Sequence, residues 1–142
     1  MITDGFQKTA EKEHITFIRK RDASSDYSVL IPEQDLADIL DNCLNNSLKI
    51  LRNKSGEKII EINIYHFPPK VRIDIADNGQ GISENDVDAI FQSGFSATGG
   101  TGMGLFQSRR ILEKYGGRIY VSDTKVGLGT TISIELLKGV QS

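Results

Sequence analysis

Apolar residues recur with helical spacing from Leu36 to Leu51 and then alternate with polar ones from Ile60 to Ile75, so the centre of the chain predicts a long helix followed by two strands. In the helix, Leu36, Ile39, Leu40, Cys43, Ser47, Ile50 and Leu51 share one apolar to small stripe. Pro32 falls in the first turn, where a missing N–H leaves no bond unmade, and Asn53-Lys54-Ser55-Gly56 ends the pattern. Ile60, Ile62 and Ile64 mark the first strand, Pro68-Pro69 the turn, and Val71, Ile73 and Ile75 the second strand. Arg72 and Asp74 point the other way, which is the signature of a hairpin covered on one face.

Weaker patterns flank this centre. Residues 1–13 are polar with a faint helical period, and His14 to Lys20 alternates as a first strand would. Ser83 with Asp86 predicts a capping box opening a short helix through Ile90-Phe91, and the glycine-rich loop from Gln92 to Thr101 is expected to be mobile. A helix from about Gly102 to Tyr115 ends at Gly116-Gly117, and strands over 118–122 and 130–136 close the chain. Without repeats or linkers, residues 1–142 read as one domain. Its element order predicts an α+β two-layer sandwich with helices on one face of a mixed or antiparallel sheet.

Composition narrows the functions open to such a domain. The net charge of −2 and the scattered Lys and Arg residues leave no footprint for nucleic acid. The one cysteine, Cys43, lies on the apolar stripe, so an intrachain disulfide is excluded and a small buried hydrophobe is expected. No apolar run approaches the roughly 20 residues that span a bilayer, and Met1-Ile2-Thr3-Asp4-Gly5 lacks a leader pattern. The expectation is a cytoplasmic domain without direct membrane contact, although a parent protein could be anchored.

The candidate chemistry lies at the edges of these elements. Asn42, Asn46 and Lys49 form a second stripe beside the apolar one, as residues facing a cleft would. Strand parity puts Asp77 of Asp77-Asn78-Gly79-Gln80-Gly81 on the covered face with Val71, Ile73 and Ile75, and a carboxylate there needs donors. Gly99-Gly100-Thr101-Gly102-Met103-Gly104-Leu105 leads into a helix, where backbone N–H groups favour an anion such as phosphate. Parity likewise directs Thr130 inward with Ile132, Ile134 and Leu136. Taken alone, each has a plainer reading: solvated asparagines on a helix for the first, and for the second a strand-ending turn, here the favoured reading. For the third it is a flexible loop, equally open, and for the last an unremarkable strand threonine. Neither glycine cluster fits G-x-G-x-x-G, since Gln107 and Glu84 stand where the third glycine would be, and no G-x-x-x-x-G-K-[ST] occurs.

In order and spacing, these elements resemble the ATP-binding domain shared by gyrase, the large heat-shock chaperones, histidine kinases and mismatch-repair ATPases, and most of all the catalytic domain of bacterial sensor histidine kinases. Asn42 to Lys49 is similar to the family's N box, Asp77 to Gly81 to its D-x-G-x-G box, Ile90-Phe91 to its F box, and Gly100 to Leu105 to its G-T-G-[LM]-G-L box. The resemblance covers about residues 33–137 and implies the mixed sheet of the Bergerat fold. It further implies ATP and Mg²⁺ as cofactors. Asp77 would accept from the adenine amino group with Thr130 in support, Asn46 would ligate Mg²⁺, and Asn42 would support the metal and phosphate region. Lys49 would neutralise phosphate charge, and Gly100, Thr101, Gly102, Met103, Gly104 and Leu105 would cradle the phosphates under a lid of residues 93–101. Gly79 and Gly81 would shape the base pocket, with Ile82 and Phe91 packed nearby.

Two departures stand out. The segment Ser96-Ala97-Thr98-Gly99 lacks the basic residue many relatives carry, which leaves Arg109 or Arg110 as alternative phosphate contacts, and Ser47 stands where alanine is usual. The implied reaction transfers the γ-phosphate to a histidine on a phosphoacceptor and dimerisation domain, in the same parent chain or in trans. Neither His14 nor His66 lies on a candidate acceptor helix. One rival is a clamp-type ATPase, whose relatives place a Glu where Asn42 stands, so that reading lacks its general base. The other is a nucleotide-gated partner-binding regulator resembling anti-sigma factors.

Overall fold

The computed structural model describes residues 3–21, 29–94 and 103–139. In chain order the elements are α1 (Asp4–Lys12), β1 (Thr16–Arg21), α2 (Glu33–Arg52), β2 (Ile59–Phe67), β3 (Lys70–Asp77), α3 (Gly104–Lys114), β4 (Arg118–Lys125) and β5 (Gly129–Leu137). The sheet runs β1-β2-β3-β5-β4. Its β1–β2 pair is parallel and its other pairs are antiparallel, so the sheet is mixed.

One sheet face is apolar along every central strand: Ile60, Ile62, Val71, Ile73, Ile75, Ile119, Ile132, Ile134 and Leu136 are all buried. The helix α2 lies against this face and also against α3, which explains a buried stripe wider than the sequence predicts, with Leu44 and Leu48 added to Ile39, Leu40, Cys43, Ser47 and Leu51. Pro32 caps the helix from outside, with Glu33 and Asp35 in the first turn and Lys49 and Arg52 in the last, each sign suited to its end of the dipole. Burial pushes the Cys43 thiol up to about 12, so it stays a protonated hydrophobe at neutral pH. The faint N-terminal period is a real helix, because Phe6 of α1 meets Phe17 of β1 edge to face at 5.0 Å.

The opposite sheet face carries a polar layer. Ser133 donates to Asp74 at 2.7 Å, Arg72 pairs with Asp74 at 3.1 Å, and the Arg72 guanidinium lies 4.9 Å from the Tyr65 ring centroid. The alternation of Arg72 and Asp74 against Val71 and Ile73 is therefore as the sequence implies.

Three local expectations are corrected. The segment 83–91 is two separate 3₁₀ turns, Glu84–Asp86 and Ala89–Phe91, and not one capped helix; the Ser83 hydroxyl accepts from the Asn85 N–H at 3.4 Å, and Ile90 and Phe91 are still driven into the core. His14 is outside β1, in a turn with φ +59° that redirects the chain from α1 into the strand. The last helix begins at Gly104, two residues later than its glycine-rich approach suggests. No described helix is long and apolar enough to cross a membrane.

Candidate functional site

Asp77 ends β3 directly opposite Thr130 of β5, and both face the helical layer as strand parity predicts. The carboxylate is already engaged: Oδ1 accepts the Gly79 N–H at 2.9 Å and Oδ2 accepts the Ser47 hydroxyl at 3.3 Å. Burial raises its pKa above the ordinary carboxylate value, while the Gly79 amide, the Ser47 hydroxyl and the Thr130 backbone pull it partly back. A half-satisfied carboxylate of this kind has acceptor capacity left for an incoming N–H donor.

The turn after Asp77 is fixed from several sides. Asn78 accepts from the Ile59 N–H at 2.8 Å and donates to the Glu57 carbonyl at 2.9 Å, which ties the turn to the start of β2. Any side chain at Gly79 would place its Cβ 2.5 Å from Cγ2 of Ile50 on α2 and 2.9 Å from Oδ1 of Asp77, so only glycine lets helix and strand end approach this closely. Gly81 has φ +75°, and a Cβ there would overlap the carbonyl oxygen of Lys125. Ile82 is held by donation of its N–H to the Thr124 hydroxyl at 2.8 Å, and that hydroxyl lies 3.0 Å from the hydroxyl of Thr130.

The other end of the site is made by helices. Asn42 and Asn46 stand one turn apart on α2, both half-buried, with Lys49 exposed beyond them. Asn42 Nδ2 donates to the Gly104 carbonyl and to the Ser108 hydroxyl, each at 3.1 Å, fastening the first turn of α3 to α2. Leu105 is buried in the core, and Met103 precedes the helix with its sulfur 3.5 Å from the Ser93 hydroxyl. Gly100, Thr101 and Gly102 lie outside the described residues, as does most of the expected lid. Phe91 is buried with the Arg109 guanidinium 5.3 Å from its ring centroid, and Arg110 similarly lies 5.8 Å from the Phe106 ring.

The two ends share α2, because Ser47 bonds Asp77 while its neighbours Asn46 and Asn42 occupy the helical end. Thr124 and Ser108 are the participants that the sequence motifs did not supply, and Ser47, which lies within a motif, gains from the structure its bond to Asp77. Among the described residues, no group of three or more His, Cys, Asp or Glu side chains could hold a metal ion.

The chain as a whole is similar to known proteins. The sequence profile of the "Histidine kinase-, DNA gyrase B-, and HSP90-like ATPase" family matches residues 32–139. The chain belongs to this ATPase family. It is 31% identical over 143 residues to the sensor histidine kinase WalK of Bacillus subtilis (strain 168), an alignment covering 96% of this chain and 23% of that protein. The chain thus spans about a quarter of that relative's length. Among solved structures, the nucleotide-free catalytic domain of histidine kinase ThkA superposes with a TM-score of 0.83 at 25% identity, covering 96% of this chain and 89% of that one. ThkA in complex with the response regulator protein TrrA matches with a TM-score of 0.79 at 25% identity, covering 97% of this chain and 38% of that chain. Within the ATPase family, the likeness is therefore to the catalytic domains of histidine kinases, and the mixed sheet with helices on one face is their fold.

Proposed function

We propose that this chain binds Mg²⁺-ATP as the catalytic domain of a sensor histidine kinase, acting in the cytoplasm and delivering the γ-phosphoryl group to a histidine on a phosphoacceptor and dimerisation domain. The observation that carries the reading is Asp77, a carboxylate raised in pKa by burial, positioned by Gly79 and Ser47, and faced by Thr130. Its remaining acceptor capacity suits the exocyclic amino group of adenine, whereas guanine presents a carbonyl oxygen there and would meet a carboxylate without a donor. The donor set of the helical end also fits magnesium. A lone carboxamide oxygen such as that of Asn46 is a reasonable protein ligand for an ion that takes its other ligands from phosphates and water. When bound, the ion supplies charge neutralisation across the phosphates. Lys49 adds a positive charge at the same helix edge, and the amides leading into α3 supply neutral donors.

Phosphoryl transfer depends mostly on positioning and charge stabilisation, so a domain of this kind can hold ATP while another domain supplies the nucleophile. Asn42 has no proton-accepting carboxylate to offer a water near the γ-phosphate, and the chain alone should turn ATP over slowly.

Calorimetric titration tests the base pocket. Asp77→Ala removes a charged acceptor and should weaken ATP binding about ten- to a hundredfold, with ATP preferred over GTP in the wild type. An unchanged affinity would refute the assignment. Radiolabelled γ-phosphate tests the chemistry: label should pass to an added histidine-bearing domain, while rapid release of free phosphate by the chain alone would favour a clamp-type ATPase. ATP binding with neither outcome would favour a nucleotide-gated regulator.

A further inference from the structure

Ser108 is fully buried on α3, at the contact with α2, and none of the motifs includes it. Its hydroxyl donates to the Gly104 carbonyl at 3.0 Å and accepts from Asn42 Nδ2 at 3.1 Å, while the same Nδ2 donates to the Gly104 carbonyl at 3.1 Å. The three groups form a closed ring in which the Asn42 amino group faces two acceptors at once. This fixes which way the carboxamide faces, since the flipped form would press Oδ1 against the Gly104 carbonyl oxygen, acceptor to acceptor. Oδ1 is consequently the acceptor of Asn42 that the ring leaves out.

We infer that Ser108 is a positioning residue for the phosphate end of the nucleotide, locking the first turn of α3 to α2 and setting the Asn42 carboxamide with its oxygen toward the ligand. This rests on the ATP-binding reading above and deepens it. The base pocket is built by β3, β5, the turn after Asp77 and Ser47 of α2, none of which hydrogen-bonds to the ring, so the lock should affect recognition of the phosphates and leave recognition of the base intact. A serine with a purely structural role would instead alter both together, through the stability of the whole domain.

The experiment is a double-mutant cycle on the full chain with Ser108→Ala, Asn42→Ala and the pair, measuring affinities for Mg²⁺-ATP and for adenosine. Adenosine binding serves as the control for folding and for the base pocket. Ser108→Ala should lower the ATP-to-adenosine affinity ratio about tenfold, with adenosine affinity unchanged. In the Asn42→Ala background the same substitution should add little, because the ring is already open. If Ser108→Ala loses adenosine binding as well, Ser108→Cys, which retains the volume and a weak hydrogen-bonding atom, decides: a lowered ratio with adenosine binding kept supports the positioning role, and joint loss again means that the serine is structural only. An unchanged ratio in a variant that binds adenosine normally, or full additivity of the two substitutions, would overturn the positioning role while leaving the ATP reading in place. A wild-type chain that binds neither ATP nor adenosine would overturn both.

Discussion

The proposed base end and the proposed phosphate end of this candidate site are built by different means. At the base end, two hydrogen-bonded strands set Asp77 opposite Thr130, and a turn pinned by Asn78 and closed on Ile50 holds Gly79 without room for a methyl group. At the phosphate end, side chains on two helices meet through a ring of hydrogen bonds, and Gly104 has ordinary van der Waals space, since a Cβ added there would lie 3.6 Å from the Asn42 side chain. The first end is rigid because the sheet ladder determines it. The second is held by hydrogen bonds between two helices and by no strand pairing. In the proposed function, such a design would separate selection of the base, which needs one fixed geometry, from the handling of phosphates, which must admit the ion and an acceptor.

The largest expected effect follows from that difference in space. Gly79→Ala overpacks the junction of Asp77 with Ile50 and should destabilise the fold by about 1–3 kcal/mol in chemical denaturation, with loss of ATP binding. A stable variant with wild-type affinity would show that the base end is as compliant as the other. Gly104→Ala should act in the opposite sense on the fold, leaving stability unchanged or raised by at most about 1 kcal/mol, because alanine is the better helix former and the space exists. It should nevertheless weaken ATP binding through the crowded approach of the phosphates, and calorimetry on the same sample would separate the two effects.

The smallest effect sharpens the comparison through pH. Burial raises the Asp77 pKa in the folded, nucleotide-free chain above its unfolded value. Its contribution to stability is therefore fully present below the unfolded pKa and is lost as pH rises through the folded one. The proposed adenine contact needs the ionised form as acceptor, so ATP affinity should change in the opposite direction, falling as pH falls through the raised pKa. Ser47→Ala removes a donor that lowers this pKa, and should move the acid limb of ATP affinity to higher pH with a loss below about tenfold at neutral pH. Coincident acid limbs in the wild type and the variant would mean that Ser47 does not tune Asp77.

Much of this site was legible because its positions follow from local periodicity. A strand alternates with a period of two whatever its neighbours, so Val71, Ile73 and Ile75 direct Asp77 inward, and Ile132, Ile134 and Leu136 do the same for Thr130. The spacing of Asn42, Asn46 and Lys49 along α2 is equally a property of the helix alone. The residues that the sequence missed depend on which elements meet. Asn42 and Ser108 are 66 residues apart, and nothing local to Ser108 distinguishes a buried serine that closes a ring from one that lines a helix face. Thr124 is concealed by a shift of register: between Val121 and Asp123 the pairing of β4 with β5 slips, so Thr124 comes opposite Thr130 and shares its face, whereas simple alternation from Ile119 and Val121 would send it outward. Sequence thus determined the direction of each side chain that a regular element controls. Tertiary structure decided the hydrogen-bond partners, because those depend on helix-to-helix contact and on a strand irregularity that leaves no periodic trace.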